Sequence, residues 1–495
     1  MITLRHYQSE ALATIPESGR HIIALATGLG KTVLFSQIPR RGRVLILSHR
    51  EELVSQPVKY YDCPVGIERA EQTSNGEDVI SASVQSIVRR LDRFKQDDFD
   101  LIIVDEAHHA SAKTYQTILQ YFKPRLVLGF TATPKRGDGV RLNTAFDSII
   151  YHKDIRWGIE NNFLSDILCR QVEISYSLDG VHSALGDYVD SELAAVMEGT
   201  GKAIGDAYRD HAKGSTLIFG VSVAHCKEIA DNIEGAVLVT GETKNRKDII
   251  ERFTRREIPC IVNCMIFTEG TDMPLVDTVI IARPTKNVSL YTQMVGRGLR
   301  LHKEKPYLTL IDCVGASSMD MCRAPSLLGL DPDSIPKEKA NKKLLELEEV
   351  AFEEADTPQA WVKNIKTVEL WKKREGYNTH NVNYFRLPNG DLSISLPKLK
   401  PIVIPAPTVL GKTFRKNGEI IEMQTALNRV YEWLCANAKE QKQLWYLPMV
   451  KQWGKDKPTE KQIGLLARMK VDYKPDNKME AALLINGKSA KGRRR

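Results

Sequence analysis

At 495 residues the chain is too long for one ordinary hydrophobic core, and roughly two to four domains are expected. Its 42% hydrophobic and 27% charged residues fit a globular protein; no apolar run could span a bilayer, and no basic-then-apolar segment opens the chain. Eight cysteines scattered without a CxxC pair indicate neither a disulfide framework nor a zinc cluster, and a reducing, cytoplasmic setting is expected.

The net charge of +8 is uneven: residues 451–495 hold 13 Lys+Arg against 5 Asp+Glu, and the first 450 residues balance at 57 each. A basic end suits nucleic acid, and equally a solvated tail. Near the start, Ile22-Ile23-Ala24-Leu25 reads as a short buried strand. It runs into Ala26-Thr27-Gly28-Leu29-Gly30-Lys31-Thr32 and then a helical pattern through Val33, Leu34 and Ile38. Strand, glycine loop and helix are the setting of a phosphate-binding loop. Thr27, Gly28 and Gly30 would close backbone N–H groups around phosphate, Lys31 would reach the β- and γ-phosphates, and the Thr32 hydroxyl would ligate Mg²⁺. Leu25 stands where the full spacing wants a glycine, so an ordinary glycine turn remains the alternative.

Val44–Leu47 leads into Ser48-His49-Arg50, and Val79–Ala82 into Ser83-Val84-Gln85. Each strand-like run releases small polar or basic residues that could bond a sugar-phosphate backbone or cap a helix. Leu101-Ile102-Ile103-Val104 then ends in Asp105-Glu106-Ala107-His108-His109. Carboxylates there lie in the crevice where parallel sheets bind ligands, one able to hold a metal and the other to polarise a water. His108 reads as a further metal ligand or a link onward; His109 reads as structural. Leu126–Phe130 leads into Thr131-Ala132-Thr133, and the alternation of strands with helices predicts a doubly wound parallel sheet.

The pattern restarts with strand candidates Thr216–Phe219, Ala236–Val239, Cys260–Asn263, Thr278–Ile281 and Leu308–Ile311, and helices over 222–233 and 244–256. This half lacks a phosphate loop but carries Gln293-Met294-Val295-Gly296-Arg297-Gly298-Leu299-Arg300. Arg297 and Arg300 would share one helical face, and the two glycines imply a close approach. Residues 151–200 read as a connector and 331–357 as a charged helical linker. Asn389-Gly390 predicts a hairpin. Tyr431, Trp433, Trp445 and Tyr446 read as the core of a small domain or as base-stacking rings.

In order, these motifs resemble the superfamily 2 helicases and translocases over residues 1–315. Ala26–Thr32 is similar to motif I, Ser48-His49-Arg50 to motif Ia, Asp105–His108 to the DEAH box and Thr131-Ala132-Thr133 to motif III. Thr268-Glu269-Gly270-Thr271-Asp272 matches motif V and Gln293–Arg300 motif VI. Val288–Leu301, Leu217–Phe219, His225–Ile229 and Val239–Thr243 are further similar to the bacterial RadD-type DNA repair helicases. That likeness fades after about residue 315: RadD-type proteins carry a cysteine-rich module there, and this chain has only Cys322 and Cys435.

The resemblance implies an α/β fold of two tandem RecA-like doubly wound parallel-sheet lobes with a C-terminal α+β accessory region. The bounds are 1–155 for the ATP-binding lobe, 156–200 for a connector, 201–316 for the second lobe, 317–370 for a charged linker and 371–495 for an accessory domain with a basic tail. It implies an ATP-dependent helicase or translocase using ATP and Mg²⁺. Gln8 and Asp272 would join Thr27, Gly28, Gly30, Lys31 and Thr32 in holding the nucleotide, and Asp105 would join Thr32 on the metal. Glu106, Gln293, Arg297 and Arg300 would be catalytic, with His108, Thr131 and Thr133 coupling nucleotide to strand. Ser48, Arg50, Gln85 and Thr268 would touch nucleic acid, expected to be DNA with a single-stranded portion. No membrane is involved, a monomer is expected, and residues 371–495 could receive a protein partner. The alternatives are the motor of a restriction-like or defence complex, an RNA helicase, and a non-hydrolysing ATP-gated binding module.

Overall fold

The computed structural model describes residues 3–49, 51–133, 142–184, 186–267, 275–315, 321–355, 368, 376–396, 399–408, 410–414, 419–453, 455–471 and 473–491. The chain divides into two units, Met1–Leu328 with Ala340–Leu344, and Gly329–Lys339 with Leu345–Arg495.

The first unit contains two parallel sheets. The first is built from β1 (Gly19–Leu25), β2 (Val44–Ser48), β3 (Val65–Glu68), β4 (Val79–Ser83), β5 (Leu101–Val104), β6 (Leu126–Thr131) and β7 (Ser148–Lys153). Their order is β3-β4-β2-β5-β6-β1-β7, every pairing parallel. Each residue of β2, β4, β5 and β6 is buried, as expected of short branched apolar runs covered on both faces by crossover segments. The phosphate-loop segment and the Asp105-Glu106 pair both leave the carboxyl edge of this sheet, from β1 and β5, with only β6 between.

The second sheet comprises β8 (Ile167–Glu173), β11 (Thr216–Phe219), β12 (Ala236–Val239), β13 (Cys260–Asn263), β14 (Thr278–Ile281) and β15 (Leu308–Val314), between which falls the two-residue pair β9 (Ser183–Ala184) and β10 (Asp187–Tyr188). Its order is β12-β13-β11-β14-β15-β8, again all parallel. The segment read as a connector thus supplies β8, which pairs along the whole of β15 from Leu308↔Ile167 to Val314↔Glu173. Its core packs Leu193, Met197, Ile204, Ile218, Ile229 and Ile280 between the sheet and its helices. The expected fold class, two doubly wound parallel-sheet lobes followed by small sheets and helices, is the observed one.

The second unit holds β16 (Phe385–Arg386) and β17 (Leu392–Ile394), paired antiparallel around Asn389-Gly390, where Gly390 takes φ +81°; β18 (Ile402–Ile404) extends the sheet. The helix Met423–Asn437 packs Met423, Leu427 and Leu434 into the same core as Leu392. Trp445 is fully buried there and its indole N–H donates to Ala438 O at 2.8 Å, so it is a core residue rather than a stacking surface. Among the described residues no helix is long and apolar enough to cross a membrane.

Candidate active site

The loop after β1 is shaped by two glycines in left-handed backbone, Gly28 at φ +90° and Gly30 at φ +75°, conformations an L side chain adopts only with strain. Its backbone is braced from the first helix, His6–Ala13. The Tyr7 hydroxyl donates to Leu29 O at 2.8 Å, and the buried Gln8 amide donates to Gly30 O at 3.2 Å while its oxygen accepts from Arg5 N at 2.9 Å. Lys31 opens the helix Lys31–Ser36, with Thr32 half-buried beside it, and Thr27 Oγ1 is buried without a hydrogen-bond partner.

Across β6 lie the carboxylates. Asp105 is buried and its Oδ1 accepts from Glu106 N at 3.0 Å. Glu106 is held at φ +48°, left-handed backbone for a residue with a side chain, at a cost of about 1–2 kcal/mol. That twist turns its carboxyl toward the loop, where Oε1 lies 3.6 Å from Lys31 Nζ. Burial alone would raise the Glu106 pKa. The Lys31 ammonium, the strongest of the opposing charges, outweighs it and holds the carboxyl below its ordinary value, so it stays ionised. Its Oε2 is buried without a hydrogen bond and lies 3.5 Å from His108 Nδ1. Burial, with His109 beside it, pushes the His108 pKa down to about 3, so this imidazole is neutral.

The second sheet contributes the helix Val288–Gly296, capped by Asn287, whose side chain accepts from Ser289 N and Leu290 N. Ser289 Oγ lies 3.1 Å from His108 Nε2, so a neutral imidazole joins Glu106 to the other lobe. Gln293 and Arg297 are buried on this segment, and Arg297 is among the charges acting on Glu106. A Cβ at Gly296 would stand 2.7 Å from Thr27 Cβ and inside contact with Thr27 Cγ2; one at Gly298 would collide with Leu308. The close approach expected from those glycines is present, and Gly296 makes it against Thr27 of the glycine loop after β1. Arg300 is half-buried, and its carbonyl accepts from Ser165 Oγ at 3.0 Å.

Between the two arginines, Gly298 O accepts from the buried ammonium of Lys305 at 2.6 Å; the same Nζ donates to Val276 O at 3.2 Å. Burial pushes the Lys305 pKa down to about 8. Neither Lys305 nor Ser289 was singled out from the sequence. Ser289 lies within the quoted stretch Val288–Leu301 but was given no role there, and its partner His108 is 181 residues away in the chain.

Thr131 is fully buried at the end of β6, and its Oγ1 accepts from Thr133 N at 3.3 Å. Of the residues expected to touch nucleic acid, Gln85 is exposed. Ser48 closes β2 in the middle of the sheet and is wholly buried. Arg50, Thr268 and Asp272 lie outside the described residues.

Residues 1–136 match the family described as "Type III restriction enzyme, res subunit", and residues 200–302 match "Helicase conserved C-terminal domain". A protein described as an ATP-dependent helicase, IRC3, from Saccharomyces cerevisiae is 38% identical over 67% of this chain and 54% of its own length. One described as a mitochondrial ATP-dependent helicase, irc3, from Schizosaccharomyces pombe is 35% identical over 68% and 61% respectively. The chain therefore spans less than two thirds of these relatives. Among solved structures, a fragment described as an HsdR subunit of a type I restriction enzyme from Vibrio vulnificus YJ016 superposes with a TM-score of 0.50 at 25% identity, covering 63% of this chain and 64% of that one.

Proposed function

We infer that this chain, which carries the paired helicase lobes of superfamily 2, is an ATP-driven motor on nucleic acid. The observation that carries the reading is the buried joint where Lys31 pairs with Glu106 of one lobe under the charge of Arg297 from the other, with His108 bonded to Ser289 beside them. Two orphaned buried acceptors, Thr27 Oγ1 and Glu106 Oε2, sit in this joint beside a lysine, which fits a site built for a phosphate chain and an attacking water.

Lys31 and the loop N–H groups would bind the phosphates. Among the described residues no group of three His, Cys, Asp or Glu is placed to hold a metal unaided. A Mg²⁺ ion held by Asp105 and Thr32 would keep waters and phosphate oxygens as its remaining ligands, and its chemistry is to neutralise charge on those oxygens. Glu106, ionised, would orient a water and accept its proton at Oε2. Arg297 and Arg300 would stabilise charge on the transferring group from the second lobe, a contribution worth about 10³–10⁵ in rate in phosphoryl transfer. Since they arrive with closure of the lobes, hydrolysis is tied to that closure and strand movement to its reversal. Gln8 and Asp272 would complete the nucleotide contacts, Gln293 the catalytic helix, Thr131 and Thr133 the coupling path.

The track is DNA, with a single-stranded portion, gripped by its backbone on Gln85, Arg50 and Thr268; the likeness of residues 288–301 to RadD-type repair helicases supports DNA over RNA. A cytoplasmic, monomeric repair enzyme is the corresponding biological reading, with 371–495 open to a protein partner. The name of the first matching family and the HsdR-like superposition favour a second reading, a motor within a restriction-like complex. Phosphate release by the purified chain with single-stranded, duplex and forked DNA and with RNA tests the motor. Lys31→Ala and Glu106→Gln should abolish it without unfolding, and stimulation should weaken as salt rises. Equal rates with and without every polynucleotide refute the reading; a co-purifying partner that confers specificity moves it to the second.

A further inference from the structure

Glu106 is followed by two histidines, and the proposed reaction engages only the first. His109 nevertheless sits in an ordered row of rings. His108 and His109 occupy the single turn Ala107–His109 after β5, and their ring centroids are 4.2 Å apart at an interplanar angle of 43°. His109 in turn stacks on His49, which leaves the neighbouring strand β2, at 4.8 Å and 25°. At the far end Gln85, from beyond β4, donates its amide to His49 O at 3.2 Å and lies 3.4 Å from His49 Nδ1. The Ser83 hydroxyl fixes Gln85 by donating to its Oε1 at 2.7 Å. Strand order β4-β2-β5 makes this row follow the carboxyl edge of the sheet, from the exposed Gln85 face to the buried Glu106 carboxylate.

What a ring adds is a face that meets a second ring, so that a shift of His49 is passed on as a shift of a plane rather than absorbed by rotamer change. We propose that His109 is a positioning residue that couples occupancy of the nucleic-acid face to the orientation of His108 and Glu106, with His49 as the receiving ring. This rests on the motor reading. Coupling between sites is ordinarily worth about 5–150-fold, and a stacked pair of rings accounts for roughly 2–12-fold of it.

The test uses the full chain and measures phosphate release without polynucleotide and with saturating oligo-dT. In His109→Ala the rate without DNA should stay within about twofold of wild type and the DNA affinity, read by anisotropy, within about threefold, while the DNA-stimulated increment falls about tenfold. His109→Phe, which restores a stacking ring, should recover most of that increment. His49→Ala should lower the increment comparably, and the double variant should be no worse than either single one, as for two members of one path. The proposal is overturned if His109→Ala keeps wild-type stimulation, if its basal and stimulated rates fall together with its melting temperature, or if the two alanine effects multiply. If wild type itself is not stimulated by oligo-dT, it is the motor reading that fails, and this inference goes with it.

Discussion

Replacing Gly296 by alanine should uncouple the lobes without unfolding either. The added Cβ would stand 2.7 Å from Thr27 Cβ and nearer still to Thr27 Cγ2, where ordinary contact needs 3.4–4 Å. The obstacle is a stiff β-branched side chain on a braced loop, so relief has to come from parting the lobes by roughly 1 Å. Displacements of that size cost about 10²-fold in rate where reacting groups must be aligned. Arg297 is the next residue, and loss of an arginine's stabilisation altogether would cost about 10³–10⁵. The expected result is a fall of about 10² in DNA-stimulated kcat. Stability should change by less than about 1 kcal/mol, because parting lobes avoids most of the usual overpacking strain. Phosphate release and thermal unfolding on the same preparation measure both. Thr27→Gly, introduced into the Gly296→Ala chain, should recover part of the lost rate although it is itself deleterious. A Gly296→Ala enzyme with wild-type kcat, or a double variant whose losses simply multiply, refutes the lobe-contact argument.

Lys305 is protonated in the fold only below about pH 8, whereas an unfolded lysine holds its proton to about 10.5. Between those values the unfolded chain binds the extra proton, so this group adds stability as pH rises and withdraws it as pH falls through 8. The unfolding free energy of wild type minus that of Lys305→Met should therefore grow by up to about 3 kcal/mol from pH 8 to 10.5 in urea titrations, and a flat difference contradicts it. Tyr291→Phe removes the hydroxyl that donates to buried Asp312 Oδ1 at 2.7 Å and should destabilise by about 1.5–3 kcal/mol at pH 7. Burial already raises the Asp312 pKa to about 6, so the loss should shrink at pH 5, where that carboxyl is protonated; equal losses at both pH values would exclude the pairing. Gln8→Ala removes the amide bridging Arg5 N to Gly30 O; it should raise the KM for ATP more than it lowers kcat, and an unchanged KM would show that the loop holds its shape without it.

Most strands legible in the sequence were ones buried on both faces, the edge strand β12 being the exception. Leu101–Val104 and Val44–Leu47 are short, branched and apolar because neighbours cover them completely. Within the two parallel sheets the three that escaped, β3, β7 and β8, all lie at sheet edges. There one side is open, and residues such as Gly66, Tyr151, His152, Arg170 and Gln171 break the apolar pattern. β8 was consequently absorbed into a supposed connector. Within the site, residues set by local spacing, Thr27 to Thr32 and Asp105 to His108, could be picked out because one strand and one turn place them. Contacts between distant segments could not: Thr27 against Gly296, His108 against Ser289, His49 against His109 are facts of sheet order and lobe docking. Ser48 shows the same limit in reverse, because a motif's position says where the chain runs and not whether a hydroxyl at the end of a central strand is exposed.

The left-handed backbone at Glu106 has a meaning for the history of such a chain. Glycine or asparagine would occupy φ +48° with less strain, so a stabilising substitution is always available at the residue proposed to activate water. Position 106 is thus under a standing thermodynamic bias toward loss of activity, and only selection on turnover holds it. A lineage released from that selection should relax there early, keeping two intact lobes and a quieter, more stable protein. The residue at this position therefore indicates whether a descendant still runs as an engine.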